Sequence, residues 1–169
     1  MNNEKVLIMD RERLISVTKF IALIGIATLV PLFHQQMITG PIVNATLFVS
    51  AIIFGRQMGI FVGLIPSVIA LSVGLLSPVL APMIPYIMIS NAILILTFNF
   101  LRNKNFWLAV GVASFMKFLF LFSTSSLVVN LLLKKEIADS VIMMMSWPQL
   151  STALAGGIIA WVFLKKIQK

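Results

Sequence analysis

The sequence contains no cysteine, and residues 13–135 contain neither aspartate nor glutamate. Without cysteine there is no disulfide, iron–sulfur cluster or thiolate metal site, and a single histidine offers little for haem or zinc. Without carboxylates in the middle of the chain there is no evident proton relay, sodium site or paired-carboxylate centre. The sequence also lacks the G-x-x-x-x-G-K-[ST] phosphate loop. We therefore expect no cofactor, no bound metal and no enzymatic activity.

What the chain has instead is apolar residues, which make up 60% of its 169 positions, with 11% charged and a mean hydropathy of +1.06. Soluble domains are about 45–50% apolar and about 25% charged. Each membrane span needs on the order of 20 residues, so about six spans use almost the whole chain. We predict an all-α membrane protein with one integral-membrane domain at 1–169: a cytoplasmic segment 1–14, a bundle of six transmembrane helices at 15–164, and a basic cytoplasmic tail at 165–169.

The helices are predicted where apolar runs are separated by proline, glycine and charge, because backbone groups in lipid must be hydrogen-bonded within the segment. The second run has about 14 residues and reaches only about 21 Å of a roughly 30 Å core. It must therefore be extended by its flanks, buried inside protein or partly irregular. A short Met-rich interfacial helix is also compatible with residues 137–145. The six predicted spans are 15–33, 41–54, 59–76, 83–101, 106–133 and 148–164.

The basic residues predict the orientation of the bundle. An even number of spans places both termini on one side, and cytoplasmic termini leave only Lys134 and Lys135 in an outer loop, offset by Glu136 and Asp139. This excess of inner positive charge is typical of membrane proteins. The basic residues are spread along the chain and do not form a patch. We therefore do not expect nucleic acid as a partner. The inner basic residues are Lys5, Arg11, Arg13, Lys19, Arg56, Arg102, Lys104, Lys165, Lys166 and Lys169.

Lys117 lies within the fifth predicted span. A charge at the bilayer centre costs about 2.5–3.5 kcal/mol on insertion scales. No carboxylate is available within the spans as a partner, so two alternatives remain. The ammonium either contacts an anionic or carbonyl-bearing ligand, or it extends toward the cytoplasm or bonds to backbone carbonyls.

Neutral polar side chains cluster at the outer ends of the predicted spans, as expected if these ends converge on one pocket. Asn91 is the strongest candidate, because an amide deep in an apolar helix must find a partner. The run 123–126 is expected to bond to its own helix carbonyls instead. Asn44 and Ser151 belong to the same polar set. The predicted substrate-binding residues are His34, Gln35, Gln36, Tyr86, Asn91, Lys117, Asn130, Trp147, Gln149 and Thr152.

The outer residues of this pocket are expected to dominate affinity, with Lys117 at its floor at most. Loss of a buried hydrogen bond to a ligand weakens binding by roughly 5- to 150-fold. We expect Asn91→Ala and Trp147→Ala to fall in that range. Arg56→Ala, at the opposite face, should change binding less than about twofold.

Small residues form a separate pattern that lets helix backbones approach closely. This approach serves either packing within the bundle or docking to another membrane subunit. The predicted docking residues are Ala22, Gly25, Ala27, Gly55, Gly59 and Gly63.

Two stretches resemble a known family. They are GPIVNATLFVSAIIFGRQMGIFVGLIPSVIALSVGLLSP at 40–78 and PYIMISNAILIL at 85–96. With the size, the six predicted spans and the cytoplasmic ends, they look like the S component, the substrate-binding subunit, of energy-coupling factor (ECF) vitamin transporters. In that family a Gly/Pro-led second span, a glycine-flanked basic turn and an Asn-containing fourth span recur.

The resemblance implies capture of a vitamin-like small molecule from outside a prokaryotic cell membrane, in a pocket built by the outer halves of the fourth to sixth spans. It also implies a transmembrane coupling protein and two ATPase subunits as partners. The family usually carries an A-x-x-x-A docking motif in the first span, whereas here Ala22 is followed four residues later by Ile26. The alternatives are a membrane-anchoring subunit of a larger complex and a stand-alone small carrier or channel.

Overall fold

The computed structural model describes residues 2–33, 35–72, 78–132 and 135–167. Within these ranges the chain is helical and contains no strand, which confirms the all-α prediction. Short 3₁₀ turns occur at Val30–Phe33 and Pro78–Met83. The α-helices of the described residues are α1 (Asn2–Leu29), α2 (Gln36–Ile53), α3 (Gly55–Ser72), α4 (Ile84–Leu101), α5 (Phe106–Leu132), α6 (Lys135–Met144) and α7 (Trp147–Ile167).

Five helical segments are long and apolar enough to cross a membrane. This number is typical of a multi-pass membrane protein. The apolar part of α3, Gly55–Ile69, is shorter than the other segments. The five segments are Arg11–Phe33, Gln36–Ile53, Ala81–Leu101, Phe106–Val128 and Val141–Ile167.

Helix α2 explains how a short apolar run serves as a membrane-length helix. It begins at Gln36, five residues before the predicted start, because the Gln35 carbonyl accepts hydrogen bonds from the backbone N–H groups of Ile38 and Thr39, both at 2.9 Å. Pro41 therefore lies inside the helix, where it removes one backbone donor. Every residue from Asn44 to Ala51 is buried. Of the three possibilities predicted for this short run, extension by its flank and burial inside protein both apply.

Other helices also extend beyond the ends of the predicted spans. The cytoplasmic segment predicted at 1–14 is helical from Asn2 as part of α1, and α7 continues three residues beyond its predicted end, to Ile167. Helix α3 begins at Gly55 rather than at residue 59, and residues 73–77 near its predicted end lie outside the described part. The short helix predicted at 137–145 is present as α6.

Helix α2 packs against α1, α3, α4 and α7 and so occupies the centre of the bundle. Its closest approach is to α7, at two glycines. A Cβ on Gly156 would lie 2.9 Å from the Pro41 carbonyl oxygen, and one on Gly40 would lie 2.8 Å from Thr152 Cβ. Side chains larger than hydrogen at these two positions would force the helices apart.

The bundle has two distinct ends. One, here called the basic end, contains the α2–α3 and α4–α5 turns with Arg56, Arg102 and Lys104. Arg102 Nη1 donates to the Ala51 carbonyl at 3.1 Å and joins these turns. Gly55 has a φ of +78°, which permits the abrupt reversal between α2 and α3.

At the opposite end, here called the cavity end, α1 ends and α2, α4 and α7 begin. Gln36 Nε2 donates to the Met144 carbonyl at 2.7 Å, which fastens the start of α2 to the end of α6. The buried face of α6 contributes Val141, which joins Met145, Met83 and Leu121 in a small apolar cluster. The polar residues predicted for the outer pocket are drawn mainly from this end.

Candidate functional site

Lys117 is the centre of a buried polar cluster. Its side chain is only 4% exposed, and Nζ donates to Asn44 Oδ1 at 2.7 Å and to Asn91 Oδ1 at 2.8 Å. These bonds join α5 to α2 and α4 in the interior. Hydrogen bonds from a charged donor are stronger than those between neutral groups.

The orientation of both asparagine side chains is set by backbone carbonyls. Asn44 Nδ2 donates to the Gly40 carbonyl of its own helix, and Asn91 Nδ2 donates to the Gly63 carbonyl of α3, each at 2.9 Å. Because a carbonyl accepts only from the nitrogen of an amide, each Oδ1 must face Lys117. The Lys117 cluster therefore connects α2, α3, α4 and α5.

The cluster faces a cavity of about 150 Å³ near the cavity end of the bundle. Nine of its fifteen lining residues are glycine, proline or aliphatic, and six are polar. This combination is typical of small-molecule sites. The lining residues are Ala27, Pro31, Thr39, Gly40, Val43, Asn44, Leu47, Val62, Gly63, Pro66, Ser67, Ile87, Asn91, Lys117 and Gln149.

Among the described residues, no aspartate or glutamate lines this cavity, and no group of three metal-binding side chains occurs. Within the described part of the chain, the side-chain partners of Lys117 are thus two neutral amides and no carboxylate. A buried cation held in this way is energetically costly unless further partners are supplied. The described wall of the cavity thus contains one basic side chain and no acidic one.

The structure does not agree with the alternative in which Lys117 extends toward the cytoplasm or bonds to backbone carbonyls. The side chain is buried rather than extended toward the cytoplasm, and the acceptors it contacts are side-chain amides, not backbone carbonyls. The reason is that α2 and α4 each place an asparagine within reach of Nζ, a relation that depends on helix packing. Contact of Lys117 with a ligand stays a prediction.

Three of the predicted substrate-binding residues line the cavity: Asn91, Lys117 and Gln149. Gln149 Nε2 also donates to the Met144 carbonyl at 3.2 Å, the carbonyl to which Gln36 is bonded. Gln36 is therefore near the rim but is not part of the wall.

The remaining predicted residues are elsewhere. Trp147 is 58% exposed, Gln35 is exposed, and Tyr86 packs on the apolar cluster around Met83. Thr152 is buried and donates to the Pro148 carbonyl of its own helix at 2.6 Å. Local bonding satisfies such a hydroxyl without a ligand. Ser151 likewise donates to Pro148. His34 and the side chain of Asn130 lie outside the described part of the structure.

The sequence-based prediction of the site omitted the third helix and most of the second. Val62, Pro66 and Ser67 of α3 form one wall of the cavity, and Thr39 of α2 forms another part. Pro66 and Ser67 interrupt an apolar helix, which was the available signal. The fourth to sixth spans contribute Ile87, Asn91, Lys117 and Gln149, so the pocket expected from these spans is one part of a wall that α1, α2 and α3 complete.

The small residues predicted for docking have different environments. Gly59 and Gly63 are buried, and a Cβ on either would lie within 3.4 Å of neighbouring helices. Both serve packing inside the bundle. Ala27 is 1% exposed and lines the cavity, and Gly55 forms the α2–α3 turn.

Two small residues leave part of α1 open. Ala22 is exposed, and a Cβ added to Gly25 would have no neighbouring atom within 4 Å among the described residues. Another membrane helix could therefore approach the backbone of α1 closely at this point.

Three hydroxyls of the 123–126 run bond to carbonyls of their own helix, as predicted. Thr124 donates to the Phe120 carbonyl, and both Ser125 and Ser126 donate to the Phe122 carbonyl. These side chains are satisfied within α5 and do not contribute to the cavity.

Comparison of the chain with protein-family models, curated proteins and solved structures found no match. A proposal for function therefore depends on the Lys117 cluster, the cavity and the distribution of charge.

Proposed function

We propose that the chain is the substrate-capture subunit of an ATP-driven ECF-type importer in a prokaryotic cell membrane. It spans the membrane six times with both termini in the cytoplasm and binds a vitamin-like small molecule from outside. It is not an enzyme, and it needs a transmembrane coupling protein and two ATPase subunits for energy. The observation that carries the proposal is a buried Lys117 facing a cavity at the end of the bundle opposite the basic turns.

The position of the cavity supports capture from outside. Arg56, Arg102 and Lys104 lie at the basic end, which the positive-inside rule assigns to the cytoplasm. The cavity is lined by residues near the end of α1, by the first half of α4 and by the first turn of α7, and it reaches inward to Leu47 of α2, the middle of α3 and Lys117 of α5. The parts at α1, α4 and α7 belong to the cavity end, so this side of the cavity is the outer one when the basic end is cytoplasmic.

The size of the cavity limits the size of the ligand that it can hold. Its volume of about 150 Å³ is less than the roughly 300–1,000 Å³ of a typical drug-sized site. An apolar cavity of about 150 Å³ holds a molecule the size of benzene. A vitamin-like ligand would therefore bury a compact part beside Lys117, and the rest would occupy the space between the outer helix ends.

The absence of a coupling device in the sequence supports dependence on partners. There is no phosphate loop for ATP and no carboxylate among residues 13–135 for coupling to protons or sodium. The open surface of α1 around Ala22 and Gly25 offers a place where another membrane helix can approach closely. Energy for transport would then come through this contact.

The test is to purify the chain in mild detergent, remove unbound solutes and extract bound molecules for mass spectrometry. We expect one small molecule in near-stoichiometric amount, which rebinds to the emptied protein. In proteoliposomes the chain alone should not accumulate it, whereas addition of coupling protein and ATPases should give ATP-dependent uptake. Uptake by the chain alone would indicate a stand-alone carrier. An emptied protein that rebinds nothing would indicate an anchoring subunit.

A further inference from the structure

The Lys117 cluster has hydrogen-bond donors left over. A lysine ammonium has three N–H donors and no acceptor, and two donors are used by Asn44 and Asn91. One N–H is left. Lys117, Asn44 and Asn91 all line the cavity, so a group bound there would lie beside them.

The two amides add further donors. Each asparagine NH₂ has two donors and uses one for a backbone carbonyl, Gly40 for Asn44 and Gly63 for Asn91. Each side-chain oxygen is directed at the ammonium. The same backbone bonds keep each Oδ1 turned toward Lys117, so the cluster has three N–H donors left for an incoming group, one from Lys117 and one from each asparagine.

The other polar groups of the wall do not reverse this preference. Thr39 and Ser67 carry hydroxyls that either donate or accept, and Gln149 is an amide. None of them carries negative charge. A positively charged ligand would meet the Lys117 ammonium with no carboxylate in the described wall to offset the repulsion.

We propose that the cavity recognises its ligand by a carboxylate group, which accepts hydrogen bonds from Lys117 and from the amide nitrogens of Asn44 and Asn91. This inference rests on the proposed capture function and adds the chemical class of the substrate. A carboxylate has two oxygens that only accept, and its charge compensates that of the buried ammonium. The group is held between α2, α4 and α5, and a compact apolar part fills the remainder of the cavity.

A matched series of three ring compounds tests the proposal: benzoate, benzamide and benzylammonium. They have nearly the same size, close to what a cavity of about 150 Å³ holds, and they differ in charge. Binding to the purified, emptied protein is measured by calorimetry and by the shift of the thermal unfolding midpoint. We expect saturable binding of benzoate, at least tenfold weaker binding of benzamide and no detectable binding of benzylammonium.

Two variants assign the selectivity to the cluster. Asn44→Asp keeps the shape of the side chain but places a carboxylate of the protein beside Lys117, and it should weaken benzoate binding at least tenfold. Lys117→Gln should remove the difference between benzoate and benzamide. Lys104→Gln is the matched control, since it removes a lysine charge at an exposed position of the basic end and should leave all three affinities unchanged.

The wild-type series is decisive even where a variant fails to fold. Equal binding of benzoate and benzamide, or preference for benzylammonium, would overturn the carboxylate assignment while leaving capture of another ligand intact. Failure of benzoate to bind would overturn it as well. Capture itself is judged separately, by whether a small molecule extracted from the protein rebinds. A cavity that rebinds no extracted molecule and none of the three compounds would remove both proposals.

Discussion

Asn91 on α4 accepts a 2.8 Å hydrogen bond from Lys117 on α5, and the same amide donates at 2.9 Å to the Gly63 carbonyl on α3. One side chain thus connects a buried cation to the backbone of a third helix. The amide oxygen accepts from Lys117, and the amide nitrogen donates to Gly63. Structural and binding effects of this residue must therefore be separated by experiment.

The first prediction concerns stability. Asn91→Leu removes a hydrogen bond to a buried charge and should lower the free energy of unfolding by about 1.5–3 kcal/mol. The matched control is Asn99→Leu on the same helix, since the Asn99 amide donates to the Ile95 carbonyl of its own helix. The control should change stability by less than about 0.5 kcal/mol. Unfolding in mixed micelles of increasing SDS content gives both values.

A double variant shows whether the loss comes from the ammonium. Adding Lys117→Met to Asn91→Leu removes the charge that has lost a partner, so part of the stability should return. Contacting residues show coupling of about 0.5–3 kcal/mol in such cycles. Strict additivity of the two single effects would contradict the interaction between these side chains.

The second prediction concerns the α2–α7 contact. Gly156→Ala would place Cβ 2.7 Å from Asn44 Cβ and 2.9 Å from the Ala45 backbone nitrogen, so the helices must separate. Overpacking of this kind costs about 1–3 kcal/mol. Gly111→Ala on α5 is the control, because no described atom lies within 4 Å of its added methyl group. Thermal unfolding should show a loss for Gly156→Ala and no loss for Gly111→Ala.

The third prediction concerns orientation. The natural sequence has no cysteine, so single cysteines can be introduced without background labelling. Met143→Cys at the cavity end should react with an impermeant thiol reagent in intact cells. Lys104→Cys at the basic end should react only after the cells are opened; both positions are exposed. The reverse pattern would place the basic end outside and refute the proposed topology.

The fourth prediction concerns affinity, with benzoate as ligand. Asn91→Ala should weaken binding by roughly 5- to 150-fold, the equivalent of a lost buried hydrogen bond. Arg56→Ala should change it less than about twofold, because Arg56 lies at the basic end. The structure revises the expectation for Trp147→Ala to the same small effect, since Trp147 is 58% exposed and is not part of the cavity wall. Calorimetry on folded variants would contradict this prediction if Arg56→Ala were the damaging change.

Much of the fold was predictable because it depends on short-range properties of the chain. Apolar runs must become helices in lipid, and charge and glycine interrupt them. Five of the six predicted spans correspond to membrane-length helical segments and short α6 is present, whereas the third predicted span corresponds to the shorter apolar helix Gly55–Ile69. Boundaries were less predictable. The predicted start of α2 was residue 41, because glycine and proline there separate two apolar runs, yet the backbone bonds at Gln35 begin the helix earlier.

The sequence by itself determined that Lys117 would lie in an apolar helix with no carboxylate among residues 13–135, and that Asn91 would need a partner. It did not determine that these two residues meet, or that Asn44 joins them. Only the tertiary structure decided this, because the contact depends on how far α2 is drawn toward α7 by Gly40 and Gly156 and on which faces of α4 and α5 turn inward. Helical periodicity specifies which residues share a face, but the rotation and spacing of neighbouring helices are set by side-chain packing across the whole bundle.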